Sequence, residues 1–176
     1  GELRGKPVGT IRITATEHAV RTLIWPRLLP WLPKYPDIKI EVSSDNRFID
    51  IVSERFDIGV RLGGDVAKDM IAVRISPDWR LAVVGAPAYF ERCAPPETPH
   101  ALTEHACINI RHRPSGAIYA WEFEKDGQPF TVKCDGQLVF NSIVHVLDAA
   151  VDGIGLAYVP EALAAPYLAD GRLKEV

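Results

Sequence analysis

The sequence is short of the features that mark several protein classes. Its three cysteines, Cys93, Cys107 and Cys134, stand at irregular spacing with no Cys-x-x-Cys pair. An odd number so placed suits neither a disulfide framework nor a zinc site. Reduced thiols are the plain expectation, with a redox-sensing pair of Cys93 and Cys107 as the alternative. No apolar run approaches the roughly 20 residues that a membrane helix needs, and Gly1 to Lys6 carries no apolar core of a secretory leader. A cytoplasmic protein is therefore expected. Net charge is only −3, which argues against a broad basic surface for nucleic acid. There is no Gly-x-Ser-x-Gly elbow, no phosphate-binding loop and no His-Glu-x-x-His helix. Glu17 and His18 are adjacent, so their side chains diverge on helix or strand alike and make a poor acid/base pair. Neither an enzyme nor a resident cofactor or metal is expected.

What is present is ordinary soluble composition, 47% apolar and 24% charged, enough for one large or two small cores. The most informative stretch runs from Ile49 to Gly64. Phe48, Ile51, Val52, Arg55 and Phe56 fall at helical spacing; Phe56, Ile58, Val60 and Leu62 then alternate with Asp57, Gly59, Arg61 and Gly63. The period changes near Phe56, so a helix should pass into a strand that ends on Arg61 and a glycine turn. Gly9 to Ala15 and Asp37 to Val42 alternate in the same way, and between them Ala19, Val20, Leu23 and Ile24 recur at helical spacing. Thr16 should cap that helix, either facing water or offering its amides to an anion. Prolines at 26, 30, 33 and 36 should break it near Pro30.

Strand, helix, strand, helix, strand is the order of a mostly parallel sheet with helices packed on it. Further strands are expected at Met70 to Ile75, Arg80 to Val84, His105 to Ile110 and Ile154 to Val159. A hairpin should turn at Asp126-Gly127. Ile143, Val146, Leu147, Ala150 and Val151 line a helix face that Gly153 ends. The proline-rich Ala94 to Pro99 is the best candidate for a domain crossing.

Several segments, in order and spacing, resemble the effector-binding domain of LysR-type bacterial transcriptional regulators. They are GTIRIT (9–14), LIWPRLLPWLPKYPDIKIEV (23–42), FDIGVRLG (56–63), VVGAPAYF (83–90), HACI (105–108), YAWEFEKDG (119–127), AAVDGIGLAYVPE (149–161) and DGRLKEV (170–176). Pro30 departs from the helix former more usual there. The resemblance implies an α/β fold of two Rossmann-like subdomains, of the periplasmic-binding-protein type II architecture, with an effector cleft between them. Residues 1–85 would form subdomain I and 86–176 subdomain II. A strand and helix beyond Val176 would complete the first, and a helix-turn-helix would precede Gly1. It further implies allosteric control through a dimer or tetramer, with DNA contacted only by that preceding domain. A free-standing solute-binding protein of transport type is the alternative.

Carried over by position, the effector-binding residues would be Thr16, Glu17 and His18 after the first strand, Ser43 and Ser44 after the second, and Arg61 with Gly63 after the third. From the second subdomain come Arg111, His112, Arg113, Asn141 and Ser142. Hydroxyls, amides, helix amino ends and guanidinium groups suit a small carboxylate or other polar metabolite. Arg61 has a structural alternative, an ion pair with Asp57 or Asp65, and His112 could equally be a solvated loop residue.

Overall fold

The computed structural model of the chain describes residues 5–45, 50–61, 70–111 and 116–176. They divide into two compact units, Gly1–Pro77 and Asp78–Val176.

In the first unit β1 (Gly9–Ala15) lies between β2 (Ile38–Ser44) and β3 (Ile58–Val60), parallel to both. One face of β1, through Ile11, Ile13 and Ala15, packs on Ala19, Val20, Ile24 and Leu28. Those residues come from α1 (Glu17–Ala19), α2 (Trp25–Leu28) and the wider turn Val20–Ile24 that joins them. Pro26 explains the wide turn. It has no N–H to give a carbonyl one α-turn back, and instead the Trp25 N–H bonds Val20 O, five residues away. The helix stops before Pro30, and a short turn at Leu32–Lys34 leads to β2.

The other face carries Arg12, Thr14, Gly59 and Arg61, and segment 50–56 lies over it. Here the expected helix is reduced to a turn. Asp50 accepts the amides of Val52 and Ser53, and Arg55 at φ 61° reverses the chain. Arg12 holds this turn from below. Its guanidinium donates to the carbonyls of Glu54 and Arg55 at 3.0 and 2.9 Å and stands 4.6 Å from the Phe56 ring. Ile51 covers Gly59, where an added Cβ would meet its side chain at 3.1 Å. Ile58, expected on a buried face, is 46% exposed because it sits on the edge strand of this unit. Residues 70–75, expected as a strand, make no sheet pairing among the described residues, and Ile71 and Val73 are exposed. Alternation alone does not supply the partner edge that a strand needs.

The second unit is built on a five-stranded sheet, β10-β4-β9-β5-β8. Its strands are β4 (Leu81–Gly85), β5 (Cys107–Ile110), β8 (Val139–Phe140), β9 (Leu156–Pro160) and β10 (Lys174–Glu175). The division between units therefore precedes β4, one strand earlier than a boundary after residue 85, since β4 is hydrogen-bonded to β9 and β10. The sheet is covered on both faces. Ala82, Val84, Ile108, Ala157 and Val159 meet α4 (Ile143–Val151) and α5 (Glu161–Ala169) on one side. On the other, Val83, Cys107 and Leu156 meet Tyr89 of α3 (Pro87–Arg92), Leu102 and the hairpin of β6 (Trp121–Lys125) and β7 (Gln128–Val132). Asp126 and Gly127 both take positive φ, the mirror-image turn that matches strand twist. Gly153 at φ 80° ends α4, as the sequence indicates. Helix α5 was not anticipated: its alanine-rich sequence and internal Pro166 give no amphipathic period.

Candidate functional site

Because β1, β2 and β3 are parallel, their carboxyl ends share one edge. Ala15 is level with Ser44 on one side and Val60 on the other. Thr16, Ser44 and Arg61 thus begin or end neighbouring loops. Thr16 caps α1: its Oγ1 accepts the Ala19 N–H at 3.3 Å and lies 3.2 Å from His18 Nδ1, to which its hydroxyl proton is free to point. His18 is buried, and burial pushes its pKa down to about 4, so the ring is neutral at pH 7. Glu17 and Ser43 are half-buried and Ser44 is exposed. Asp45 closes the β2 end, donating its amide to Ala15 O at 2.8 Å.

Arg61 folds back over its own strand. One guanidinium nitrogen donates to Val60 O at 2.9 Å and the other to Thr14 Oγ1 at 3.1 Å. Thr14 is wholly buried, so the fork is anchored at its base on a hydroxyl inside the sheet. The Asp57 carboxylate, the expected alternative partner of Arg61, accepts the backbone amide of Arg12 at 2.8 Å. Asp65 and Gly63 lie outside the described residues.

The second unit offers a matching edge. β5 and β8 run parallel, with Asn109 level with Val139 and Ile110 with Phe140, so Arg111 and Asn141 follow side by side. The Arg111 amide donates to Phe140 O at 2.8 Å, and its side chain donates to Gly116 O. Ser142 is buried at the amino end of α4, its carbonyl accepting the Val146 amide. This end carries the positive pole of the helix and amides unused by the first turn. His112 and Arg113 lie outside the described residues.

Sequence reasoning passed over the residues that hold these edges. Thr14 looked like one more strand position. Asn109 is a buried polar residue whose amide donates to Cys134 O at 2.7 Å and whose oxygen accepts the Trp121 indole N–H at 2.9 Å. An asparagine inside the apolar run Cys107 to Ile110 was the available signal.

A pair of α/β units with polar loops at the strand ends, of periplasmic-binding-protein-like architecture, defines a small-molecule-binding class of fold. Residues 4–176 match the family described as the LysR substrate binding domain, and the chain belongs to it. It is 50% identical over 174 residues to a "Putative transcriptional regulator" of Pseudomonas aeruginosa, covering 99% of this chain and 57% of that protein. It is 45% identical over 159 residues to the "HTH-type transcriptional regulator PgrR" of Escherichia coli, covering 90% and 53%. The chain spans about half the length of these relatives. Full-length AphB of Vibrio cholerae superimposes with a TM-score of 0.82 at 24% identity, over 97% of this chain and 57% of that one. The regulatory domain of CrgA from Neisseria meningitidis gives 0.79 at 20%, over 97% and 81%. At that identity the likeness speaks for the fold alone. No helix among the described residues is long and apolar enough to cross a membrane.

Proposed function

We propose that this domain senses a small anionic metabolite and reports it, through the geometry of an oligomer in the cytoplasm, to a DNA-binding segment elsewhere in the full protein. The observation that carries the reading is the Arg61 fork, set at the shared ends of three parallel strands and braced on the buried Thr14 hydroxyl. A guanidinium fixed in this way loses little further freedom on meeting a carboxylate. Thr16 and Ser44 supply neutral polar groups beside it, and the neutral His18 ring adds no competing charge. Within the second unit, Arg111, Asn141, Ser142 and the amino end of α4 form a polar edge of their own. The ligand acts by shifting a conformational equilibrium.

The test is a thermal-shift screen of small mono- and dicarboxylates against neutral amide analogues, with wild type and Arg61→Gln. A ligand held only by the folded state raises the midpoint. The expected result is stabilisation by a carboxylate, absent for its amide and lost in the variant. Stabilisation that survives Arg61→Gln unchanged, or that the amide reproduces, would sink the assignment.

A further inference from the structure

Thr16 stands one residue past Ala15, which is level with Ser44 of β2 and Val60 of β3. Two groups of its own turn hold its hydroxyl oxygen. The Ala19 N–H donates to Oγ1 at 3.3 Å, and His18 Nδ1 lies 3.2 Å away. The backbone around them is fixed as well: the Thr16 carbonyl accepts the Val20 N–H at 3.1 Å, and Thr22 Oγ1 donates to His18 O at 2.8 Å. The His18 ring is buried, while Thr16 is half-buried and so reaches solvent. A hydroxyl oxygen has one proton to give and two lone pairs to offer. The Ala19 amide occupies one lone pair. What remains for a ligand is then decided by His18, through the nitrogen that carries its ring proton. An unprotonated Nδ1 takes the Thr16 proton and leaves a lone pair outward. A protonated Nδ1 takes the second lone pair and leaves the hydroxyl proton to donate.

We propose that His18 is a positioning residue: its Nδ1 carries the ring proton and donates it to Thr16 Oγ1, which leaves the Thr16 hydroxyl as a hydrogen-bond donor at the shared strand edge. The inference rests on the carboxylate reading of that edge for what the donor meets. A carboxylate oxygen only accepts. Arg61 presents donors alone, and with Nδ1 protonated Thr16 does the same. The other tautomer would set a hydroxyl lone pair against the anion. Burial makes this a choice between two neutral forms. It penalises the charged ring and brings the pKa down to about 4, so at pH 7 the ring keeps one proton and only one nitrogen can donate. In this role His18 acts through Thr16, and the fixed turn passes the ring's tautomer on to the polarity of the edge.

The test is heteronuclear NMR of the histidine ring nitrogens in the whole chain at pH 7, without ligand, with His18 identified by the signals missing from His18→Gln. The expected result is a protonated Nδ1 and an unprotonated Nε2. Thr16→Val removes the acceptor and should shift the Nδ1–H signal, whereas Thr16→Ser should leave it in place. An unprotonated Nδ1, or an Nδ1–H signal indifferent to Thr16→Val, would overturn the proposal. The wild-type tautomer decides the matter even if a variant fails to fold. Because no ligand enters, this failure is distinct from that of the carboxylate screen. A protonated Nδ1 beside a screen in which no carboxylate stabilises the chain upholds the tautomer and fails the site reading. An unprotonated Nδ1 beside a carboxylate effect lost in Arg61→Gln does the reverse.

Discussion

Arg61 and Thr14 are 47 positions apart and joined by a 3.1 Å hydrogen bond from guanidinium to hydroxyl. It runs from the residue after β3 to the last residue but one of the sheet's central strand. The bond couples the polar edge of the sheet to the core of the first unit, because Thr14 is fully buried and β1 pairs on both sides. Thr14→Val keeps the shape and removes the acceptor. The expected loss is about 1 kcal/mol in a urea melt, with a weaker thermal shift by any carboxylate that Arg61 holds. Thr14→Ser should restore both.

Arg12 is the structural counterpart of Arg61 on the same face. Its two bonds to Glu54 O and Arg55 O satisfy carbonyls at the end of the 50–55 turn, and its contact with Glu41 is exposed and adds little. Arg12→Ala should cost about 1–3 kcal/mol, and Arg12→Lys should recover only part of it, since an ammonium does not reproduce the fork. Charge reversal at Glu41 should change the midpoint far less. Denaturant melts of the three variants check the order.

His18 makes stability depend on pH. Its folded pKa lies at about 4, below the ordinary 6.5, because burial penalises the charged ring. The unfolded chain therefore binds this proton more tightly. The contribution is fully present above pH 6.5, falls as pH drops toward 4, and levels off below that. Its size is about 3 kcal/mol, since each tenfold difference in proton affinity between the folded and unfolded chain is worth about 1.4 kcal/mol. Denaturation free energies at pH 7.5 and 4.5 should differ less in His18→Gln than in wild type by that order.

Asn109 joins Cys134 O to the Trp121 indole inside the second unit. Asn109→Ala leaves a buried carbonyl and a buried N–H without their partners, at a cost of about 2–4 kcal/mol in stability. A shift in tryptophan emission should accompany it.

Gly136 is placed by contact rather than by backbone torsion. Gly136→Ala would drive a methyl group into Cys107 O, against backbone that cannot turn aside. Destabilisation of about 3 kcal/mol or more is expected, read as a lower thermal midpoint. Gly127→Ala, in open space at a positive φ, should cost only about 1 kcal/mol.

By itself the sequence determined the kinds of element and much of their order. A period of two marks β1, β2 and β3, Asp126-Gly127 marks the hairpin, and the spacing from Ile143 to Val151 marks α4, because each signal is written within a few neighbouring residues. Segment order carried the family as well, and parallel strand order placed Thr16, Ser44 and Arg61 at one edge, while Arg111 and Asn141 came from the resemblance. Local pattern failed where a partner is remote or a period is missing, as at residues 70–75 and in α5. Only the tertiary structure decided that Arg61 rests on Thr14, that Arg12 ties down the 50–55 turn, and that Asn109 joins Cys134 O to the Trp121 indole. Those pairings depend on register between strands far apart in the chain, and register is set by the packing of whole faces.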